Sequence, residues 1–157
     1  MRLSWKKGLS FGTTSGVITT LGMMVGLHSS THSRLAVIGG ILVIAIADAM
    51  SDALGMHVSE ESEGHHSRKE VWEATIMTFG TKFVTALTFV VPILIFNLGT
   101  AIVVNVAWGL LLISALSYLI AYEQKTKPIK VIGEHFFIAV LVVIITHYVG
   151  DWVAVVF

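Results

Sequence analysis

Residues 45–66 read AIADAMSDALGMHVSEESEGHH, an apolar run that passes into charge. Asp48 and Asp52 fall inside the run, at positions where a membrane helix is ordinarily free of carboxylates. The stretch is therefore either the acidic face of a soluble helix or a membrane helix that carries two carboxylates for a purpose.

The rest of the chain decides between these. Of its 157 residues, 55% are hydrophobic and only 13% are charged, with a mean hydropathy of +0.83. Soluble domains carry about 25% charged residues. A chain this apolar cannot clothe itself in polar surface and reads as an integral membrane protein. Its formal net charge of zero argues against a nucleic-acid partner. It has no cysteine, which excludes disulfides and thiolate metal sites. The sequence carries no cofactor motif, metalloprotease spacing or catalytic nucleophile, so an enzyme is not expected, nor a bound cofactor.

A spanning helix needs roughly 20 mostly apolar residues. Five segments qualify: Gly8–Leu27, Leu35–His57, Ala74–Phe96, Gly99–Tyr122 and Val131–Val155. The predicted fold is an all-α membrane protein of five transmembrane helices in a single domain, 1–157. The first segment, rich in Gly, Ser and Thr, is the weakest by hydropathy and the best suited to line a polar path. No small-residue cleavage site follows Leu27, so it reads as a retained helix. The acidic and histidine-bearing loop 58–73 is too short for a second domain. Lys and Arg set the orientation. With the N terminus in the cytoplasm, that side holds Arg2, Lys6, Lys7, Arg68, Lys69, Lys125, Lys127 and Lys130, and the outer side holds Arg34. The C terminus is then outside, and a cell membrane of prokaryotic type is the expected location.

Asp48 and Asp52 are spaced i,i+4 and share a helix face. An aspartate at the bilayer centre costs about 2.5–3.5 kcal/mol on insertion scales. That expense points to a cation or proton partner inside the protein. The stripe continues through Met56 to Glu60 and Glu63. Lys82, within the third span, either snorkels toward the cytoplasm or pairs with Asp52, and the aspartates with their lysine would then be a structural fastener. His147 and Asp151 form a second i,i+4 pair near the outer end of the last span, and His28 and His32 lie in the loop beside it. By depth, these groups form a ladder of imidazoles and carboxylates across the bilayer, provided the second and fifth helices are adjacent. In SEESEGHHSRKEVWE, residues 59–73, Glu60, Glu63, His65 and His66 are candidate metal ligands at the cytoplasmic surface, with Glu70 and Glu73 repeating the i,i+3 spacing. Carboxylate and imidazole together suit Fe, Mn and similar ions. Gly8, Gly12 and Gly16 recur every four residues, a face for close helix approach and a candidate dimer interface. Pro92 is placed to kink the third helix.

FGTTSGVITTLG (11–22) followed by GGILVIAIADAMSDALGMHVSEESE (39–63) resembles the vacuolar iron transporter family. That family has G-x-x-D-G-x-x-T in its first helix and S-M-G-x-G-x-Y-x-x-x-x-S-E in its second. Gly12, Gly16, Ser51, Gly55, Ser62 and Glu63 fall in step with these patterns. FVTALTFVVPILIF (83–96) is similar to the family's third helix and THYVG (146–150) to its fifth. The resemblance implies five helices, a homodimer, and proton-coupled export of Fe2+ or Mn2+ from the cytoplasm between the two first helices. It also shows two departures. The family's first-helix aspartate falls at Ser15, and its second-helix methionine at Asp52. The family's glutamate-rich cytoplasmic domain is reduced here to the short loop.

The expected function is transport of a divalent transition metal, with the metal, protons, membrane lipid and a second copy of the chain as partners. Asp48 and Asp52 are the expected central metal site, with Met56 beside it. His147 and Asp151 are an outer relay, and Glu60, Glu63, His65 and His66 gather metal from the cytoplasm. The alternatives are a non-transporting assembly or metal-sensing module, and a proton-coupled transporter of another solute.

Overall fold

The computed structural model describes residues 3–157; Arg2, counted above among the cytoplasmic cations, lies outside them. The chain folds into five long helices: α1 (Leu3–Thr31), α2 (Arg34–Ser62), α3 (Arg68–Ile95), α4 (Leu98–Glu123) and α5 (Pro128–Val156). The last four are long and apolar enough to cross a membrane. At 29 residues α1 is as long, but its Gly, Ser and Thr content keeps it short of that standard.

That composition suits its place. α1 packs against all four other helices and forms the axis of the bundle. Val17, Leu21, Met24 and Val25 of α1 centre the core, joined by Val37 and Ile41 of α2, Phe89 and Ile93 of α3, and Ile113 of α4. A helix covered by helices meets few lipids, so its small residues serve close approach instead of hydropathy. Gly12 is the tightest case. A side-chain carbon there would stand 2.6 Å from the Thr78 carbonyl oxygen of α3 and closer still to the Thr81 hydroxyl. Gly8 and Gly16 meet α3 in the same way, at Ala74 and Thr85. The close contact expected of this glycine face is therefore present, but its partner is α3 of the same chain. Gly8, Gly12 and Gly16 are thus buried in packing within the chain. On another side, Gly150 of α5 lies so near α1 that a side-chain carbon would reach 2.5 Å from the Gly26 carbonyl oxygen.

Polar contacts identify the two ends of the bundle. At one end Lys6 meets Glu123 at 2.9 Å, Lys7 meets Glu60 at 2.8 Å, and the Ser4 hydroxyl donates to Glu73 at 2.9 Å. At the other, the Arg34 guanidinium donates to the Phe96 carbonyl at 2.7 Å. All five helices run between the same two ends.

Two irregularities matter. In α2, residues Ile44–Asp48 form a single π turn, a feature that often marks functional sites. α3 breaks at Phe89, just before Pro92, whose missing N–H and bulky ring interrupt the hydrogen-bond ladder. At this break the buried Asn105 amide of α4 donates to the Phe89 carbonyl at 2.9 Å. The loop between α2 and α3 is shorter than expected. α2 continues to Ser62, and α3 begins at Arg68 under a capping box in which the Ser67 hydroxyl accepts from the Glu70 N–H and the Glu70 carboxylate accepts from the Ser67 N–H.

Candidate functional site

Asp48 ends the π turn of α2, and Asp52 lies one α-helical turn further on. Both carboxylates converge on a single cation. The Lys82 ammonium of α3 sits 2.6 Å from Asp48 Oδ2 and 2.5 Å from Asp52 Oδ2. The Lys82 side chain is 0% exposed, against 34% for Asp48 and 20% for Asp52. Lys82 therefore turns inward and does not snorkel, which decides that question in favour of pairing. It also donates to the Ser15 hydroxyl of α1 at 2.9 Å, and Ser15 in turn donates to Asp52 Oδ2 at 2.5 Å. Three helices thus supply one four-residue cluster. A fully buried ammonium is tolerated only with such partners, because an unpaired charge in low dielectric is strongly unfavourable. The contact with Asp48 is purely ionic: its buried Oδ2 makes no hydrogen bond among the described residues.

Asp48 also faces open space. A groove of about 770 Å³ lies between α2 and α5, with α1 as its floor. Its walls are almost wholly apolar, including Val43, Ile44, Val142, Val149 and Val153; Thr19, Ser30, Thr146 and Asp48 supply the polar groups. The groove corrects the idea of a continuous ladder, since α2 and α5 stand apart across it. His147 and Asp151 form their expected pair, Nε2 to Oδ2 at 3.5 Å, with about half of each side chain exposed. His147 Nδ1 lies 2.5 Å from the Ser29 hydroxyl of α1. The His147–Asp151 pair is therefore anchored to α1 instead of stacking above Asp48. Nearby, the rings of His28 and His32 are 5.4 Å apart, and His28 Nδ1 is buried without a partner.

A second acidic cluster forms at the opposite end. Glu60 and Glu63 of the α2 terminus and His66 of the loop bring one ligand atom each within 4.8 Å of one another, close enough to share a metal ion. His66 Nε2 is 3.0 Å from Glu63 Oε2 and 3.5 Å from Glu60 Oε2. Glu60 is nearly buried, and its Oε2 has no hydrogen-bond partner. Lys7 closes the cluster from α1, 2.8 Å from Glu60 and 3.7 Å from Glu63. The Glu60 hydrogen bond raises the Lys7 pKa above its ordinary value, against a smaller opposing effect of burial. The His66 hydrogen bond, followed by the Lys7 charge, holds Glu63 below the usual carboxylate range.

Of the other sequence candidates, His65 is exposed in the turn and stays outside this trio. Met56 is half-buried one turn beyond Asp52 and joins neither cluster. Glu70 and Glu73 are committed to the capping box and to Ser4. Ser117 with His135, 2.7 Å apart across α4 and α5, is a polar contact that spacing does not reveal.

No protein-family model matches the chain, and no curated protein matches it. The resemblance in residues 11–63 therefore stands on the residues themselves.

Proposed function

We propose that this chain is a transporter of a divalent transition-metal ion, Fe2+ or Mn2+, that exports it from the cytoplasm as a homodimer in exchange for protons. In this reading α1 is the fifth span, covered by the four apolar ones, with the N terminus in the cytoplasm and the C terminus outside. The reading is carried by one observation. Two carboxylates from α2, a hydroxyl from α1 and an ammonium from α3 meet at Asp48, Asp52, Ser15 and Lys82, beside an open groove in the middle of an apolar bundle. Charged groups at that depth serve ion or proton paths in membrane proteins by default. Glu60, Glu63 and His66 supply a hard oxygen and imidazole set at the cytoplasmic end, suited to first capture of such an ion.

A second reading has its own observation. Lys82 already satisfies both aspartates, as a structural fastener would, and a non-transporting membrane module needs nothing more. Uptake in proteoliposomes separates the two. The transport reading requires Mn2+ or Fe2+ flux with an opposite change in lumenal pH. Metal binding at Glu60, Glu63 and His66 without flux supports the module.

A further inference from the structure

Lys82 is among the largest fully buried side chains of the described residues, yet it is a cation. Its ammonium does more than neutralise the neighbourhood. It touches Oδ2 of Asp48 and Oδ2 of Asp52 at once, at 2.6 and 2.5 Å. Any ion that bridges these two carboxylates on that side needs the same pair of oxygens. Charge gives the same answer. With all three groups ionised the cluster carries one net negative charge. A divalent ion added on top of the ammonium would leave an uncompensated positive charge in a poorly hydrated site, whereas a divalent ion in place of the ammonium leaves none. Burying an unpaired charge is the costlier state. Asp48 is the more exposed of the two carboxylates and faces the groove, so an arriving ion meets it first.

We propose that Lys82 is a tethered counter-cation, whose ammonium occupies the carboxylate oxygens of Asp48 and Asp52 in the empty protein and is displaced when a divalent ion takes them. The inference rests on the transport reading above and adds its selectivity. The site is never without a cation, and an ion is admitted only if it outcompetes an attached ammonium for two carboxylates. A monovalent ion at the same oxygens does this poorly, because it brings no more charge than the group it replaces. Ser15, which accepts from Lys82 and donates to Asp52, holds the ammonium in register.

The test uses the full-length chain in lipid nanodiscs at one fixed pH, with Mn2+ as the probe. Acetylation of lysines is read residue by residue by mass spectrometry, with Lys125 in its exposed turn as the internal control. Buried Lys82 should resist the reagent without metal, and saturating Mn2+ should raise its labelling about tenfold while Lys125 stays constant. Calorimetry on two variants gives a second measure. Lys82→Met removes the competitor and should bind Mn2+ about tenfold tighter than the parent, a difference of about 1.4 kcal/mol. Lys82→Arg keeps the charge and adds a bidentate fork matched to carboxylates, so it should bind more weakly. If Lys82→Met fails to fold, the labelling result and Lys82→Arg carry the test. Mn2+ binding that leaves Lys82 labelling unchanged, or equal affinities in the parent and a folded variant, overturns the tethered cation alone. A parent that binds Mn2+ and exposes Lys82 but shows no flux in liposomes sinks the transport reading and leaves this one standing. A parent that neither binds nor moves Mn2+ sinks both.

Discussion

Ser15 and Asp52 stand 2.5 Å apart across the contact between α1 and α2, with the hydroxyl donating to the carboxylate. In the resemblance drawn from the sequence these are the two departing positions, the first set against an aspartate and the second against a methionine. In space the two positions lie one hydrogen bond apart, and both are in contact with Lys82.

A double exchange follows. Asp52→Ser alone removes one of the two anions beside a fully buried ammonium, and breaking a buried pair this way costs about 3 kcal/mol. Ser15→Asp with Asp52→Ser returns the charge to the other side of the same gap. It should recover at least half of the lost thermal stability in detergent, together with part of the Mn2+ uptake. A double variant no more stable than Asp52→Ser would mean that the side of the gap matters as much as the charge.

Gly12 and Gly16 should differ sharply on substitution. A methyl group at Gly12 collides with backbone and hydroxyl of α3, whereas at Gly16 the nearest atom is Thr85 Cβ at 3.2 Å. Gly12→Ala should lower stability by about 1–3 kcal/mol, the usual range for overpacking, and Gly16→Ala by less. Neither should change the oligomeric state on crosslinking in lipid, because both glycines pack against α3 of the same chain. Dissociation of an otherwise folded dimer by Gly12→Ala would return the interface to this glycine stripe.

The cluster that ties α1 to the α2–α3 loop has a defined pH window. Glu63 is held below its ordinary value of 4.5, so its contribution is present above that value and lost as pH falls through the lowered pKa. Lys7 is raised above 10.5, so its contribution is complete below that value and lost only at still higher pH. Amide exchange of residues 61–67 should therefore stay slow at neutral pH and quicken only as pH falls below 4.5 toward the lowered Glu63 pKa, after correction for the intrinsic rate. Glu63→Gln should remove the acid-side change. If the amides open at pH 6 in the parent, Glu63 is not what holds the loop.

Topology can be read with single cysteines, since the chain has none of its own. A cysteine at Lys127 should react with an impermeant reagent only from the cytoplasmic side, and one added after Phe157 only from the outer side. Reaction of both from one side would mean that α5 does not cross.

The apolar runs made five helices legible, four of them long and apolar enough to cross a membrane, and the i,i+4 spacing put Asp48 and Asp52 on one face without further help. Glu60, Glu63 and His66 were legible for the same reason, being close in sequence. What joins separate helices was not. Whether Lys82 points to lipid headgroups or to Asp52 depends on the rotation of α3 about its axis. That rotation is set by the packing of Gly8, Gly12 and Gly16 against Ala74, Thr78 and Thr85, and periodicity in a single helix is silent on it. The separation of α2 from α5 was hidden likewise, because it arises from α1 lying between them. One missed feature was in plain view. Ser67 and Glu70 have the S-x-x-E spacing of a capping box, and its weight was given instead to metal binding.

The central position of α1 has a consequence for how the protein is made. α1 is synthesised before the helices that cover it, yet its hydroxyls and glycines give it little hold on lipid. Its N-terminal glycine face is completed by α3 and its C-terminal half by α5, which follows the other four helices in the chain. Until then the segment that will become the axis of the bundle lacks the helices that cover it. Assembly therefore ends with its first helix, and α5, which has few buried residues of its own, is the element that closes it in.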